Sequence, residues 1–313
     1  MAKLRVYALG VLRVLHGETE VILPTRKTGD LLCYLLLHRG ELLERELIAE
    51  RLWPDRPAGR ASRCLCTTLW RLRQSIDSTD LPDESLLLAD RTTLGFNEAA
   101  PYWLDVEEFE ERAAAGLADT LPCTSPGRRS LECALELYRG DLLRDRYDDW
   151  CLVERERLSL LLLRVMKRLQ RHCRLTGDLE AGISLGRRLL ELDPLQEDVH
   201  RELMRCFQTA GQRHLALEQF RSCRELLRAE LGIEPMTETS ELCQAIEQGV
   251  CEQALTAPGS PGVEHLAGAI CQFSQAFDHL RSAWEELEHA TGELATDGGT
   301  AAGETARGAS DWL

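Results

Sequence analysis

Aromatic residues are scarce, 5% of 313 positions, which argues against sandwiches and barrels, where aromatic and β-branched side chains fill the sheets. Abundant leucine and arginine point instead to a mostly α protein of helices packed on helices. No run of about eighteen uncharged apolar residues occurs. Even LSLLLLRVMKRL (158–169) is broken by Arg164, Lys167 and Arg168, so no membrane span is expected. The opening MAKLRVYALGVLRVLHGE has arginines inside its apolar run and no small-residue cleavage site after it, unlike a signal peptide. The expected location is cytoplasmic.

Chemistry-bearing motifs are equally sparse. There is no CxxC, no HExxH and no glycine-rich phosphate loop, and the eight histidines have no ligand spacing. The twelve cysteines are scattered and are expected to be reduced, acting mostly as small buried hydrophobes. Cys64 and Cys66 form a close pair. On a helix, however, they lie about 200° apart and cannot share a metal, which leaves a redox role as the alternative. GISLG (182–186) matches the G-x-S-x-G pattern, but that motif needs a strand-to-helix turn, and Ser184 lies among Leu179, Ile183, Leu189 and Leu190 at helical spacing. No metal, no cofactor and no enzymatic activity are expected.

Positive charge is also in short supply, 37 basic against 52 acidic residues for a net charge of -15. An excess of acid disfavours phosphate contact, yet the distribution is uneven. Residues 255–313 hold nine acids against Arg281 and Arg307, whereas 61–76, ASRCLCTTLWRLRQSI, hold three arginines and no acid. At about 100° per residue, Leu65, Leu69, Leu72 and Ile76 form one stripe of a helix. Arg60, Arg63, Thr67, Trp70, Arg71 and Gln74 form the opposite one. An acid-free basic face on an acidic chain is read as a DNA recognition helix, with an ordinary surface helix as the alternative. Arg63 and Arg71 are candidates for guanine edges, and Thr67 and Gln74 for thymine methyls or adenine. Arg73 lies at the flank and, with Arg60, Arg26 and Lys27, suits the DNA backbone. Trp70 either packs against its own domain or turns its indole N–H to a phosphate.

Around this helix the chain reads as short antiparallel strands within 3–15, a helix from Arg26 to His38 stopped by Gly40, a second from Leu43 to Trp53, and the loop PDRPAG (54–59). After it come the loop STDLPDE (78–84) and two strands flanking Asp90 to Thr92. That order describes a winged helix-turn-helix. Helical patterns then recur at 150–175, 178–192, 196–210, 213–230 and 238–248. Gly177 and Gly211 are 34 residues apart, each followed five positions later by a small residue, Gly182 and Ala216, suited to close helix approach. This is the tetratricopeptide period, and it predicts an α-solenoid.

The element order with RCLCTTLWRLR (63–73) resembles OmpR/PhoB-type winged helices. The blocks LELYRGDLLRDRYDDWCLVERERL (135–158) and DPLQEDVHRELMRCFQTAGQRHLALEQFRSCRELLRAELGIEP (193–235) resemble the bacterial transcriptional activator domain. Together they resemble the Streptomyces antibiotic regulatory protein (SARP) family over about 3–249. The resemblance implies a transcription activator that binds promoter direct repeats as two protomers, with loop 54–59 and part of the helical domain recruiting RNA polymerase. It also implies that Arg91 is a wing arginine for the minor groove, against a solvated turn as the alternative. At position 70 relatives often carry a polar or basic residue, so Trp70 departs from their pattern. The ATPase module of some larger relatives is absent from this sequence.

Past the linker TAPGSPG (256–262), Val263, Leu266, Ile270, Phe273, Phe277, Leu280, Trp284 and Leu287 alternate in spacing between three and four. This is a coiled-coil stripe, flanked by Ala269, Ala276, Ala283 and Ala290. The expected organisation is a winged helix at 1–100, a helical activator domain at 101–255, a linker at 256–262, a coiled-coil helix at 263–294 that makes the chain a homo-oligomer, and a disordered tail at 295–313. The alternative for the terminal helix is a cap on its own solenoid. The alternative for the whole is a helical-repeat adaptor or ligand sensor whose winged helix binds protein. Truncation at residue 255 is expected to reduce the solution mass to that of a monomer and to weaken specific DNA binding before non-specific binding. An unchanged oligomer would discard the stripe's role.

Overall fold

The computed structural model describes residues 4–77 and 86–249. The loop expected at 78–84 and the expectations for the linker, heptad stripe and tail beyond 255 lie outside the described residues. The first half comprises β1 (Leu4–Tyr7), β2 (Arg13–His16), β3 (Thr19–Glu20), α1 (Arg26–Leu37), β4 (Leu43–Glu44), α2 (Arg45–Leu52), α3 (Ala58–Asp77), β5 (Leu87–Ala89), β6 (Thr93–Phe96) and β7 (Tyr102–Leu104). The rest is helical: α4 (Asp105–Ala118), α5 (Ser125–Leu137), α6 (Asp149–Thr176), α7 (Leu179–Leu192), α8 (Glu197–Thr209), α9 (Arg213–Leu231) and α10 (Thr237–Gln248). The protein is therefore mostly α with small sheets at its N-terminal end, and no described helix is long and apolar enough to cross a membrane.

Two sheets frame the first half. One has the order β3-β2-β1-β7, antiparallel except for β1 with β7, and the other has the order β4-β6-β5. Alternation sets the faces: Leu4 and Val6 are buried, while Arg5 and Tyr7 are only partly so. Three boundaries differ from the sequence reading. Leu43 and Glu44 pair with Leu94 and Thr93 instead of starting the second helix. Helix α3 starts at Ala58, inside the expected loop, where the Pro57 carbonyl accepts the amides of Arg60 and Ala61. β7, which follows residue 100, completes the N-terminal sheet.

The two halves share buried structure. Sequence periodicity gave α1 one apolar face, but every residue from Thr28 to Leu36 is buried, because the helical half covers its other side. Tyr34 meets Trp150 of α6 edge to face, with centroids 5.4 Å apart, and Arg39 pairs with Glu107 and Glu110 of α4. Asp30, fully buried, lies 2.8 Å from the Arg146 guanidinium and 3.3 Å from Lys27. Near the end of β1, the Asp105 carboxylate accepts the amides of Ala8 and Leu9 at 2.9 Å. Burial pushes both carboxyls above their usual range. The chain at 141–144 adds to the same strand end, with Gly10 N donating to Asp141 O and Leu143 N to Ala8 O. Leu143 is held at φ 43, a left-handed conformation that side chains rarely adopt. Arg155 steadies it by donating to the carbonyls of Leu142, Leu143 and Arg146.

From α6 to α10 the helices match the expected set to within two residues at each end. Gly177 caps α6 in the left-handed region at φ 85, and Gly211 takes φ 71 at the equivalent turn. On α7 the neighbouring helices come closer at Gly186 than at Gly182: a Cβ at Gly186 would run into Gln170 Nε2 and sit 2.6 Å from a Leu203 methyl, whereas one at Gly182 would meet nothing nearer than Cys206 Sγ at 3.4 Å. Asp105→Ala should cost about 1–3 kcal/mol for each buried amide left without a partner, measured by denaturant unfolding. A loss below about 0.5 kcal/mol would remove this carboxylate from the seam.

Candidate nucleic-acid interface

Burial divides α3 as its sequence pattern requires. Ala61, Leu65, Leu69, Leu72 and Ile76 are at most 5% exposed, packed into a core with α1, α2 and β6. Arg60, Arg63, Thr67, Trp70, Arg71 and Gln74 are all exposed, and Arg73 is intermediate at the flank. Trp70, 62% exposed, is not packed into its own domain, so the burial alternative is excluded. The Thr67 hydroxyl donates to the Arg63 carbonyl at 3.0 Å on the exposed side of the helix. No acid lies in the first turn of α3, where the helix dipole would favour one, so an incoming anion meets no competing carboxylate there.

The hairpin β5–β6 forms the wing, and its turn is built on Asp90. The carboxylate accepts the amides of Thr92 (2.7 Å) and Thr93 (2.6 Å) and the hydroxyls of both. These bonds, led by the Thr93 amide, hold its pKa down to about 2. Arg91 stands exposed at the tip. Asp90 is a residue that the sequence reading placed only in a turn. Its signal was there, since aspartate at the first position of a turn accepts amides two and three residues on.

Arg26 and Lys27 are placed differently from the expectation of a backbone grip. Arg26 donates to the Asp145 carbonyl at 3.0 Å and lies 4.0 Å from Asp148, while Lys27 is 2.8 Å from Asp148. Both cations therefore hold the loop before α6. Asp145 and Asp148 lie more than 100 positions along the chain from them, beyond the reach of any spacing argument. Ser184 sits within α7, away from any strand-to-helix turn, and among the described residues no group of three or more metal-ligand side chains is assembled. Cys64 is intermediate and Cys66 exposed, both free thiols.

A winged helix-turn-helix joined to a helical domain is the architecture of a bacterial transcription regulator. The family described as "Transcriptional regulatory protein, C terminal" matches residues 18–92, and the "Bacterial transcriptional activator domain" matches residues 104–247. The chain is 28% identical over 262 residues to the regulatory protein DnrI of Streptomyces peucetius, covering 78% of this chain and 92% of that protein. It is 27% identical over 306 residues to the regulatory protein AfsR of Streptomyces coelicolor, covering 94% of this chain but 30% of that protein. In fold it is similar to Mycobacterium tuberculosis EmbR, solved in complex with a low affinity phosphopeptide. The TM-score is 0.71 at 20% identity, covering 79% of this chain and 66% of that one. The chain belongs to the SARP family of transcription regulators, with an OmpR/PhoB-type winged helix.

Because its pKa is lowered, Asp90 contributes its stabilisation to the wing above the ordinary carboxyl value and loses it as pH falls through about 2. A carbon-detected NMR titration of its carboxyl should show a midpoint near 2. A midpoint near 3.8, the unperturbed value, would mean that the turn bonds are not held in solution.

Proposed function

We propose that the chain is a sequence-specific transcriptional activator that inserts α3 into the major groove of promoter DNA and lays the wing along the adjacent minor groove. The observation that carries the reading is the exposed set Arg60, Arg63, Thr67, Trp70, Arg71 and Gln74 on one face of α3, in a stretch, 58–76, that holds no acid although the chain has a net charge of -15. Arg63 and Arg71 address base edges, with Thr67 and Gln74 between them. Arg60 and Arg73 hold phosphates, and Arg91 enters the minor groove. The Trp70 indole offers a donor to a phosphate and a flat ring to a sugar or a thymine methyl. Arg26 is the weakest of these assignments, since its guanidinium already has partners.

Few base contacts per protomer favour two protomers on direct repeats, placed head to tail. Self-association through Leu266, Ile270, Phe273, Phe277, Leu280, Trp284 and Leu287 would supply the pairing. Residues 54–57, the part of the expected loop that precedes α3, and the helical domain are the surfaces we assign to RNA polymerase. Promoter DNA as the partner puts this work in the cytoplasm.

A second reading, a protein-binding adaptor or ligand sensor, is favoured by a groove of about 880 Å3 on the helical half. Leu179, Ile183, Phe207 and Leu215 line it, with Arg187 and Arg188 among its polar residues. Selection of duplexes from a random pool by the full chain, followed by mobility shift at several salt concentrations, separates the two. Sequence-selective retardation is expected, and its absence at low salt would favour the adaptor. Arg63→Ala or Arg71→Ala should cost roughly 1–3 kcal/mol on the selected duplex and relax specificity. A uniform loss across all sequences would reassign those arginines to phosphates.

A further inference from the structure

We infer that Arg45, at the start of α2, is a positioning residue that fixes the wing arginine Arg91 relative to the recognition helix, so that the two grooves are read in one register. The inference rests on the DNA-binding reading above. The backbone amide of Arg45 donates to the Thr92 carbonyl at 2.9 Å, and its Nη1 donates to the Asp90 carbonyl at 3.2 Å. These two carbonyls belong to the residues on either side of Arg91, so one residue grips the wing tip from both sides. The other end of the same guanidinium, Nη2, reaches Cys66 Sγ on α3 at 3.6 Å. Cys66 lies on the flank of α3 that also carries Arg73, about 40° from Trp70 on the helical wheel.

The geometry separates two tasks. Asp90 shapes the turn from within, its carboxylate accepting from Thr92 and Thr93. Arg45 then ties that finished turn to the helix beside it. A planar fork with donors at both ends suits a bridge between two elements, whereas lysine carries one compact charge and cannot span them. If Arg45 served only as a phosphate cation, lysine would replace it. As a bridge, it cannot be so replaced.

The test uses the duplex selected by the full chain, in two versions that differ only in A·T or G·C pairs under the wing. Arg91→Ala is expected to lower the preference for the A·T version by about tenfold, the size of one good contact. Arg45→Met, which keeps the aliphatic stem, should lower it by a similar factor while leaving discrimination among the bases under α3 in place. The double variant should be no worse than Arg91→Ala, because both changes remove the same reading. Arg45→Lys should retain non-specific binding yet still lose the preference, and it carries the test if the methionine variant unfolds at a lower temperature. Independent losses that multiply in the double variant, full rescue by lysine, or no effect of Arg91→Ala on the preference would overturn the positioning role. A wild-type chain with no sequence preference at all would overturn the DNA-binding reading itself.

Discussion

A carboxylate with no exposure to water, Asp30 on α1, conditions most of this structure. Removing such a charge from water is costly unless cations meet it, and a partner lost after burial costs more than the pair is worth. Here the cations are Arg146, from the loop before α6, and Lys27, one turn back on the same helix. The Arg146 contact is close but too bent for a hydrogen bond, so it works through charge. Burial still outweighs both cations and pushes the carboxyl pKa up. Separating the winged helix from the helical half would strand this group, the Tyr34–Trp150 contact and the Arg39 ion pairs together.

The helix-turn-helix core is therefore only partly an independent domain. Its α1 is buried on all sides, its sheet borrows β7, and its first strand ends on the Asp105 carboxylate. Such a seam fixes the direction in which α3 points from the helical half. Surfaces on α4 to α10 then keep a set orientation to any bound duplex. A flexible tether would have left that relation undefined.

Helix α3 was legible because its two faces differ in kind: the leucines that are buried are those at helical spacing, and the polar positions opposite are exposed. The helices after residue 149 were legible for the same reason, aided by glycines at their ends. The stretch from 101 to 148 was not, apart from its family resemblance. There, β7 is three residues long, α4 carries alanines in place of a strong apolar stripe, and the 141–144 segment is shaped by partners near residue 9. The tasks of Arg26 and Lys27 were invisible for a related reason: a cation looks the same in sequence whether it awaits a phosphate or already holds a carboxylate. Arg45 has no periodicity to announce it, because its role lies in joining a turn to a helix that are distant in sequence.

The parallel pairing of β1 with β7 bears on how the chain is made. During synthesis β1 can find β2 almost at once, but its other edge stays open until Tyr102–Leu104 emerges, and the bridge from Leu9 waits for Leu142. An open strand edge is a template for pairing with another chain. The N-terminal half is thus translated first and completed late, and a nascent chain stalled before residue 102 would present that unpaired edge to its neighbours.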